Sequence, residues 1–240
     1  MSTFFPALAE TDKIGYLRSD GMRREMSIRR LLPPAMSSEF LTSLSFDEKI
    51  HYSTSNDSID PFAKHVPSMP SIDRVFVDCG AFHYNKLDTP KFLNGGFVRS
   101  STTLEEWEKR HLSRNSGAHY LVCSPDHIIH SELTEEQVIS RREFTRVSAK
   151  SFLQLTNDFE NITPIAVVHG RTLDERIAET KFMIQLGYRY IAFGGLVPLA
   201  RDPKMVLHQI AGINPISSDD ISIDPESPLG LLKQHGIKTH

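Results

Sequence analysis

Four short apolar segments of the sequence each end in glycines or in side chains capable of acid–base and hydrogen-bonding chemistry. These ends are Asp78-Cys79-Gly80, Ser124-Pro125-Asp126-His127, His169-Gly170-Arg171 and Gly194-Gly195-Leu196. Carboxylates and an imidazole can exchange protons and can bind the polar edge of a ligand. Glycines let a ligand or its phosphate approach the backbone. Phe82, just after the first cluster, is suited to stacking on a planar ligand.

Each cluster also has a purely structural interpretation: a helix cap for the aspartates, a core side chain for the histidine or for Phe82, and a tight turn for the glycine pair. The cap interpretation is the weaker one for both aspartates. Asp78 precedes no clear helix start, and Thr134 is the better cap for the helix that follows Asp126. The histidine, the glycine pair and Phe82 remain open between the two interpretations.

Helical patterns alternate with these apolar segments, which predicts βαβ units and a parallel sheet. The predicted strands are Arg74–Asp78, His119–Cys123, Pro164–Val168 and Arg189–Phe193, followed by Ile221–Asp224 and by a strand beginning at Gly236-Ile237. The predicted helices are Thr102–Leu112, Thr134–Leu155, Thr172–Leu186, Pro203–Ala211 and Pro225–Gln234. Periodicity alone fits both a (β/α)8 barrel and a doubly wound sheet. In either fold, loops beyond the carboxyl ends of the strands build the active site.

The overall composition indicates a globular protein with one large domain or two small ones. The chain has 240 residues, 39% of them hydrophobic, and a net charge of −3. No apolar run approaches the roughly 20 residues of a membrane span, and the N-terminus lacks the pattern of a secretory signal. The two cysteines can form neither a disulfide framework nor a four-cysteine zinc site. We therefore expect a cytoplasmic protein with no membrane partner, no metal and no cofactor.

One stretch of the N-terminal region is strongly basic. Residues 1–70 read as an irregular lead-in of short elements and loops, and residues 71–240 as the βα-repeat domain. Between Lys13 and Arg30 the sequence has six basic and two acidic residues. This patch is either a solvated surface or a phosphate-contacting face whose nucleic-acid ligands would be Arg23, Arg24, Arg29 and Arg30.

Three motifs, in this order, resemble the tRNA-guanine transglycosylases. Phe76–Phe82 is similar to their Asp-Ser-Gly-Gly-Phe motif, and Ile165–Gly170 to a strand ending in Gln-Gly. Gly187–Val197 resembles their Gly-Tyr-Ala-Ile-Gly-Gly-Leu segment. Several variants are more similar to the deazapurine DNA modification transglycosylases: Asp-Cys-Gly-Ala-Phe, Ser124–Ile129, Arg141-Arg142, and His169–Thr172 followed by Glu175-Arg176. The resemblance covers roughly residues 70–237.

The resemblance implies a TIM (β/α)8-type barrel that replaces guanine in DNA, rather than tRNA, by a 7-deazaguanine such as 7-cyano-7-deazaguanine. Asp78 would be the general base, and Asp126 would accept hydrogen bonds from the N–H edge of the purine. His169 takes the position of a base-contacting glutamine, which leaves its role open. The remaining substrate-binding groups would be the stacking wall Phe82 and the backbone of Gly194, Gly195 and Leu196. A flipped-out base favours such aromatic walls.

The family's nucleophilic aspartate lies shortly after a Gly-Ile or Gly-Val pair on a late strand. Gly236-Ile237 matches this approach, and the sequence given ends at His240. We therefore expect a barrel without its last strands, belonging to a longer or split polypeptide whose C-terminal fragment or partner subunit completes it. Otherwise this chain cannot finish the covalent step unaided, because a carboxylate nucleophile holds the sugar intermediate.

Two other functions compete with this interpretation. A metal-dependent hydrolase on a TIM barrel would use Asp126, His127 and His130 as ligands, with Asp78 and His169 nearby. A non-catalytic nucleic-acid-binding subunit is the other alternative, suggested by the basic patch. The purine-binding motifs favour the transglycosylase over the hydrolase.

Overall fold

The structure, a computed structural model, describes residues 7–8, 13–17, 23–27, 42–46, 72–92, 95–111, 119–199, 201–213 and 222–239. For the segments before residue 76, the description concerns the backbone. The chain divides into two compact units. The first comprises Met1–Gly80 and Glu105–Leu121, and the second comprises Ala81–Leu104 and Val122–His240. The domain boundary predicted between residues 70 and 71 lies outside the described residues.

The first unit contains two antiparallel groups of strands. Strand β4 (Thr42–Phe46) pairs with β1 (Ala7–Leu8) on one side and with β5 (Ile72–Val77) on the other. Strands β2 (Lys13–Leu17) and β3 (Arg23–Ser27) form a separate hairpin, in which Leu17 pairs with Arg23. Strand β5 corresponds to the first strand predicted from the apolar pattern.

The second unit contains a parallel sheet. Its strands are the end of β6 (His119–Cys123), β7 (Ile162–Val168), β8 (Tyr190–Phe193) and β9 (Lys238–Thr239), in that order across the sheet. The β7–β8 and β8–β9 pairs are parallel. Parallel neighbours need crossover connections, and helices supply them here. The predicted α/β class with a parallel sheet is confirmed, and the arrangement is compatible with a TIM-like fold.

Five helices are described. They are α1 (Ser100–His111), α2 (Glu135–Leu155), α3 (Leu173–Leu186), α4 (Pro203–Ala211) and α5 (Pro228–Gln234). All five overlap helices predicted from the sequence, and the ends differ by up to three residues. Within the described part of the chain, none of them combines the length and the apolar character that crossing a bilayer requires.

Local capping residues fix the ends of the two long helices. Thr134 and Gln137 form the predicted capping box: the Thr134 hydroxyl accepts from the Gln137 N–H, and the Gln137 side chain accepts from the Thr134 N–H. Thr172 caps α3 by accepting from the N–H of Glu175. Gly187 ends α3 with φ +99°, a left-handed conformation that glycine adopts at little cost.

The strand predicted at Ile221–Asp224 is wrong for residues 222–224, which form no strand. The Asp224 N–H donates instead to the Ala211 carbonyl (3.0 Å), which ties the segment to the end of α4. The Asp224 carbonyl accepts from the Ser227 hydroxyl (2.6 Å). Ser227 thereby becomes the cap of α5, so that helix begins at Pro228 and not at the predicted Pro225.

The core of the second unit lies between the parallel strands and the helices that cover them. Tyr188 is fully buried there, and its hydroxyl donates to the Ala149 carbonyl (2.8 Å). Burial raises the pKa of Tyr188, so the phenol stays protonated. Burying an aliphatic side chain contributes about 1.5–3 kcal/mol, so this cluster helps to hold the strands and helices together. The cluster consists of Ala149, Ala166, Val168, Met183, Tyr188, Ile191, Leu232 and Ile237.

An ion-pair network joins helices α2 and α3 on the outside of the sheet. Arg146 makes a two-pronged contact with Glu179, with N–O distances of 2.9 and 2.7 Å. Arg142 reaches both Glu175 and Glu179, at 3.0 and 3.2 Å. Because Glu179 is buried, the arginines are needed to compensate its charge. The network fixes the two helices that follow β6 and β7.

Candidate functional site

A buried carboxylate–imidazole pair lies beyond the ends of β6 and β7. Asp126 follows β6, His169 follows β7, and each is 3% exposed. The His169 Nε2 lies 2.5 Å from the Asp126 Oδ2. When Asp126 is ionised it can only accept, so Nε2 carries the proton of this bond. The bond therefore fixes both the tautomer of His169 and the orientation of the carboxylate.

The other ring nitrogen of His169 points towards the glycines after β8. Nδ1 is buried and has no hydrogen-bond partner among the described residues. In the tautomer that donates to Asp126, this nitrogen is an acceptor. A Cβ placed on Gly195 would lie 3.2 Å from it. The site thus contains a buried acceptor close to the Gly194-Gly195 backbone.

Gly194 and Gly195 are required by the space around them. A Cβ on Gly194 would overlap the His169 ring, lying 2.7 Å from Nε2 and still closer to Cε1. Gly195 has φ +69° and faces the Ile129 carbonyl, which would lie 3.1 Å from an added Cβ. The Gly194 N–H donates to the Val168 carbonyl (2.9 Å). The two glycines therefore bring the backbone after β8 against the imidazole.

A buried arginine holds this backbone in place. Arg176 is 1% exposed, and its Nη1 donates to the carbonyls of Gly194 (3.0 Å) and Val168 (3.4 Å). Its Nε donates to the Gln209 Oε1 (3.2 Å). Burial lowers the pKa of Arg176 to about 10, which still leaves it charged at neutral pH. Gly170 makes room for this side chain, since a Cβ there would lie 2.7 Å from the Arg176 Cγ.

His127, next to Asp126, is a neutral core histidine at physiological pH. It is 1% exposed, and burial, followed by the charge of Arg141, lowers its pKa to about 4. The ring meets Tyr84 edge-on at 5.8 Å, and the backbone N–H of His127 donates to the Thr145 hydroxyl (3.0 Å). The Tyr84 hydroxyl donates to the Asp126 carbonyl (2.9 Å). These contacts fix the backbone that carries the Asp126 side chain.

The other predicted site residues have different surroundings. Phe82 lies on a short 3₁₀ turn, Ala81–Tyr84, and is 71% exposed, so the core interpretation is wrong for this side chain. Leu196 is half-buried just before a second 3₁₀ turn, Val197–Leu199. Asp78 directly follows β5 in the first unit and is half-buried.

Of the four predicted nucleic-acid ligands, two fall on a described strand. Arg23 and Arg24 lie on β3, where the backbone alone is described, and Arg29 and Arg30 lie outside the described residues. The competing metal-site interpretation takes Asp126, His127 and His130 as ligands, with Asp78 and His169 nearby, and it depends on the three histidines. In the part of the chain that the structure describes, none of these histidines joins two further metal-binding side chains within ligand distance of one another.

The arrangement supplies what a polar planar ligand needs. A carboxylate has about four acceptor positions, and His169 occupies one of those of Asp126. Carboxylate acceptors make the stronger, charge-assisted class of hydrogen bond. The glycine backbone lies beside the imidazole, where the Gly194 N–H donates to Val168 and the Gly194 carbonyl accepts from Arg176. These features suit a ligand edge that carries neighbouring N–H donors.

Comparison with known proteins finds a distant relative. A DNA-guanine transglycosylase of Salmonella montevideo is 24% identical to this chain over 163 residues. This similarity supports the resemblance of the chain to the tRNA-guanine transglycosylase superfamily. The match covers 67% of this chain, and the chain spans 37% of the length of that relative. No protein-family model matches the sequence.

Sequence reasoning missed two parts of this site. Arg176 appears in the motif that resembles the superfamily, yet a buried arginine runs against the usual exposure of that residue type. Its position could nevertheless be predicted from the cap of α3. Because Thr172 is that cap, residue 176 lies one turn into the helix, beside the end of β7. Tyr84 was missed because its contact with Asp126 spans 42 positions of the sequence.

Proposed function

We propose that this chain binds a guanine-type purine and serves in the exchange of guanine in nucleic acid for a 7-deazaguanine. DNA is the favoured substrate over tRNA, and 7-cyano-7-deazaguanine is the favoured incoming base. The buried Asp126–His169 pair carries the proposal, since it joins an oriented carboxylate to an imidazole that packs against the Gly194-Gly195 backbone. The relative's name and the deazapurine branch motifs support the choice of DNA.

The adjacent donors of a guanine edge match this acceptor. Guanine and 7-deazaguanine both carry a ring N–H next to an exocyclic amino group, and one carboxylate can accept from both. Phe82 would form the stacking wall on one face of the purine. The backbone of Gly194, Gly195 and Leu196 would line another side. The (β/α)8 barrel would place these groups at one end of its strands.

Base exchange conserves oxidation state and needs no redox partner. The bond between the sugar C1′ and N9 of guanine breaks, and N9 of the departing guanine gains a proton. The incoming base loses its N9 proton as the new C1′–N9 bond forms. Asp78 would act as the general base for this proton transfer. A base can reach such a site only after leaving the stack, which costs a few kcal/mol.

Calorimetric binding of 7-cyano-7-deazaguanine to Asp126→Asn tests the proposal. The variant keeps the shape but replaces one acceptor oxygen with an amino group that faces the purine donors. Hydrogen bonds to charged groups contribute about 1.5–3 kcal/mol, so affinity should fall about 10-fold to 100-fold or more. Asp126→Ala should abolish binding.

Asp158→Asn is the matched control, because Asp158 is an exposed carboxylate on the turn after α2. It should bind the base as the unaltered chain does. Unchanged affinity in Asp126→Asn would remove Asp126 from the site. Incorporation of labelled base into DNA and into tRNA, followed in parallel with the same preparation, tests the choice of substrate.

A further inference from the structure

An exposed aromatic side chain lies close to two cations on a short ribbon of the second unit (residues 90–92 and 95–99; the ribbon). Phe97 is 49% exposed. The Lys91 Nζ lies 5.0 Å from the centre of its ring, and the Arg99 Cζ lies 5.7 Å from it. Both distances are within the range of cation–π attraction. The three side chains therefore form one surface.

The strand-like geometry of the ribbon explains why this surface faces outwards. Lys91 and Phe97 form an antiparallel bridge, and the Val98 N–H donates to the Pro90 carbonyl (3.1 Å). Side chains alternate between the two faces of such a ribbon. Val98 is accordingly 3% exposed, and its neighbours Phe97 and Arg99 point the other way. Burial of one face thus holds the other in place.

The start of helix α1 stiffens the same segment. The Thr102 hydroxyl accepts from the Arg99 N–H (2.9 Å), and it lies 3.0 Å from the carbonyls of both Phe97 and Arg99. This local hydrogen bonding fixes the backbone that carries the aromatic ring. An exposed ring held in this way loses little further conformational freedom when it meets a flat partner, which favours binding.

The charge of the segment matches a polyanion. Between Ala81 and Leu104 the sequence has three lysines or arginines and one acidic residue, Asp88. That carboxylate accepts from the Gln137 side chain (3.3 Å). Phe97 therefore combines a half-exposed aromatic ring with two cations. Unpaired nucleobases with adjacent phosphates require this combination.

We propose that Phe97, Lys91 and Arg99 bind an unpaired nucleotide of the nucleic-acid substrate, with Phe97 stacking on its base and the two cations contacting the flanking phosphates. This rests on the proposed function in taking nucleic acid as the partner. It adds a second contact, for a nucleotide other than the exchanged base. Flipping one guanine out of a duplex leaves the base opposite it without a partner, which supplies such a nucleotide.

Tryptophan fluorescence tests the stacking directly. The chain has a single tryptophan, Trp107, so Phe97→Trp in a Trp107→Phe background reports on position 97 alone. A single-stranded DNA oligonucleotide should quench this emission, and inorganic polyphosphate of equal charge should not. Phe97→Ala should weaken oligonucleotide binding about 5-fold to 100-fold, the range expected for loss of one stacked base.

Salt dependence tests the two cations. Replacing Lys91 and Arg99 by alanine should lower the slope of log affinity against log salt by about 1.4, since each phosphate contact with a single strand contributes about 0.7. Ile139→Ala and Lys150→Ala, at exposed positions of α2, are the matched controls and should change neither quantity.

Two results would overturn the proposal: an oligonucleotide that leaves the emission of the Phe97→Trp reporter unchanged, or polyphosphate that quenches it equally. Its failure is distinguishable from failure of the proposed function, which is measured with the free base. Phe97→Ala should bind 7-cyano-7-deazaguanine normally. Asp126→Asn should lose affinity for that base. When it is combined with the reporter substitutions, the oligonucleotide should still quench the tryptophan emission normally.

Discussion

The imidazole of His169 fills the space that a Cβ on Gly194 would need, so residue 194 has no room for even a methyl group. A Cβ there would lie 2.7 Å from Nε2, the nitrogen that bonds Asp126. The glycine therefore does more than permit a turn: it sets where the imidazole lies, and the imidazole sets the direction of the carboxylate. Interactions at three strand ends are coupled through one ring.

This coupling predicts that the effect of Gly194→Ala on the free energy of unfolding depends on whether His169 is present. Gly194→Ala should lower the free energy of unfolding by about 1–3 kcal/mol, because the methyl group displaces a packed ring. It should also reduce affinity for 7-cyano-7-deazaguanine, because the carboxylate loses its orienting donor. In a His169→Ala background the ring is gone, so the added penalty of Gly194→Ala should nearly vanish.

Urea unfolding of the two single variants and the double variant measures this coupling. Residues in direct contact show interaction energies of about 0.5–3 kcal/mol, whereas independent sites add within a few tenths. Equal penalties for Gly194→Ala with and without the imidazole would contradict the contact. Purine affinities of the same proteins show whether the packing matters for binding as well as for folding.

Much of the second unit could be predicted from the sequence because its determinants are local. The capping box of Thr134 and Gln137 and the glycine stop at Gly187 are contained within a few residues, and the helices end where these residues place them. The strand predicted at Ile221–Asp224 failed for the opposite reason. Residues 222–224 form no strand, and the Asp224 N–H donates to the Ala211 carbonyl instead. The periodicity of the sequence does not reveal such a hydrogen bond.

The site could be predicted less completely. Because carboxyl ends of parallel strands meet, the sequence placed Asp126 and His169 in one region, and the structure joins them by a hydrogen bond. Their roles, and that of Asp78, stay predictions. Arg176 escaped prediction because its burial depends on a helix packing against two strand ends, where carbonyls of Val168 and Gly194 replace water around the guanidinium.

The basic patch of the first unit yields a prediction about nucleic-acid affinity. Replacing Arg23, Arg24, Arg29 and Arg30 together by glutamine should weaken duplex DNA binding and flatten its salt dependence. Each phosphate contact with a duplex contributes about 0.9 to the slope of log affinity against log salt, so loss of all four would lower the slope by about 3.6. Titrations at several salt concentrations measure the slope.

A matched variant separates specific contacts from net charge. Lys150, Lys181, Lys204 and Lys233 are four exposed cations of the second unit, and replacing them by glutamine removes the same charge. That variant should retain most of the slope. If the arginine variant keeps the slope of the unaltered chain, the patch is a solvated surface.

The last prediction concerns His127 and the acid stability of the fold. Burial lowers the pKa of His127 to about 4 from its ordinary value of 6.5, so between these values the unfolded chain binds a proton that the folded chain does not. Stability must therefore fall as the pH drops from 6.5 towards 4, by up to about 3 kcal/mol from this group. Above 6.5 the contribution is fully present.

His127→Phe removes the titrating group and retains a ring for the edge contacts with Tyr84 and Phe144. Urea unfolding near neutral pH and near the folded pKa should show a smaller loss of stability in this variant than in the unaltered chain, although the variant also loses a hydrogen bond to the Tyr84 backbone at every pH. His235→Gln, at an exposed position, should leave the pH dependence unchanged. An identical loss in His127→Phe would mean that folding does not lower the pKa of His127.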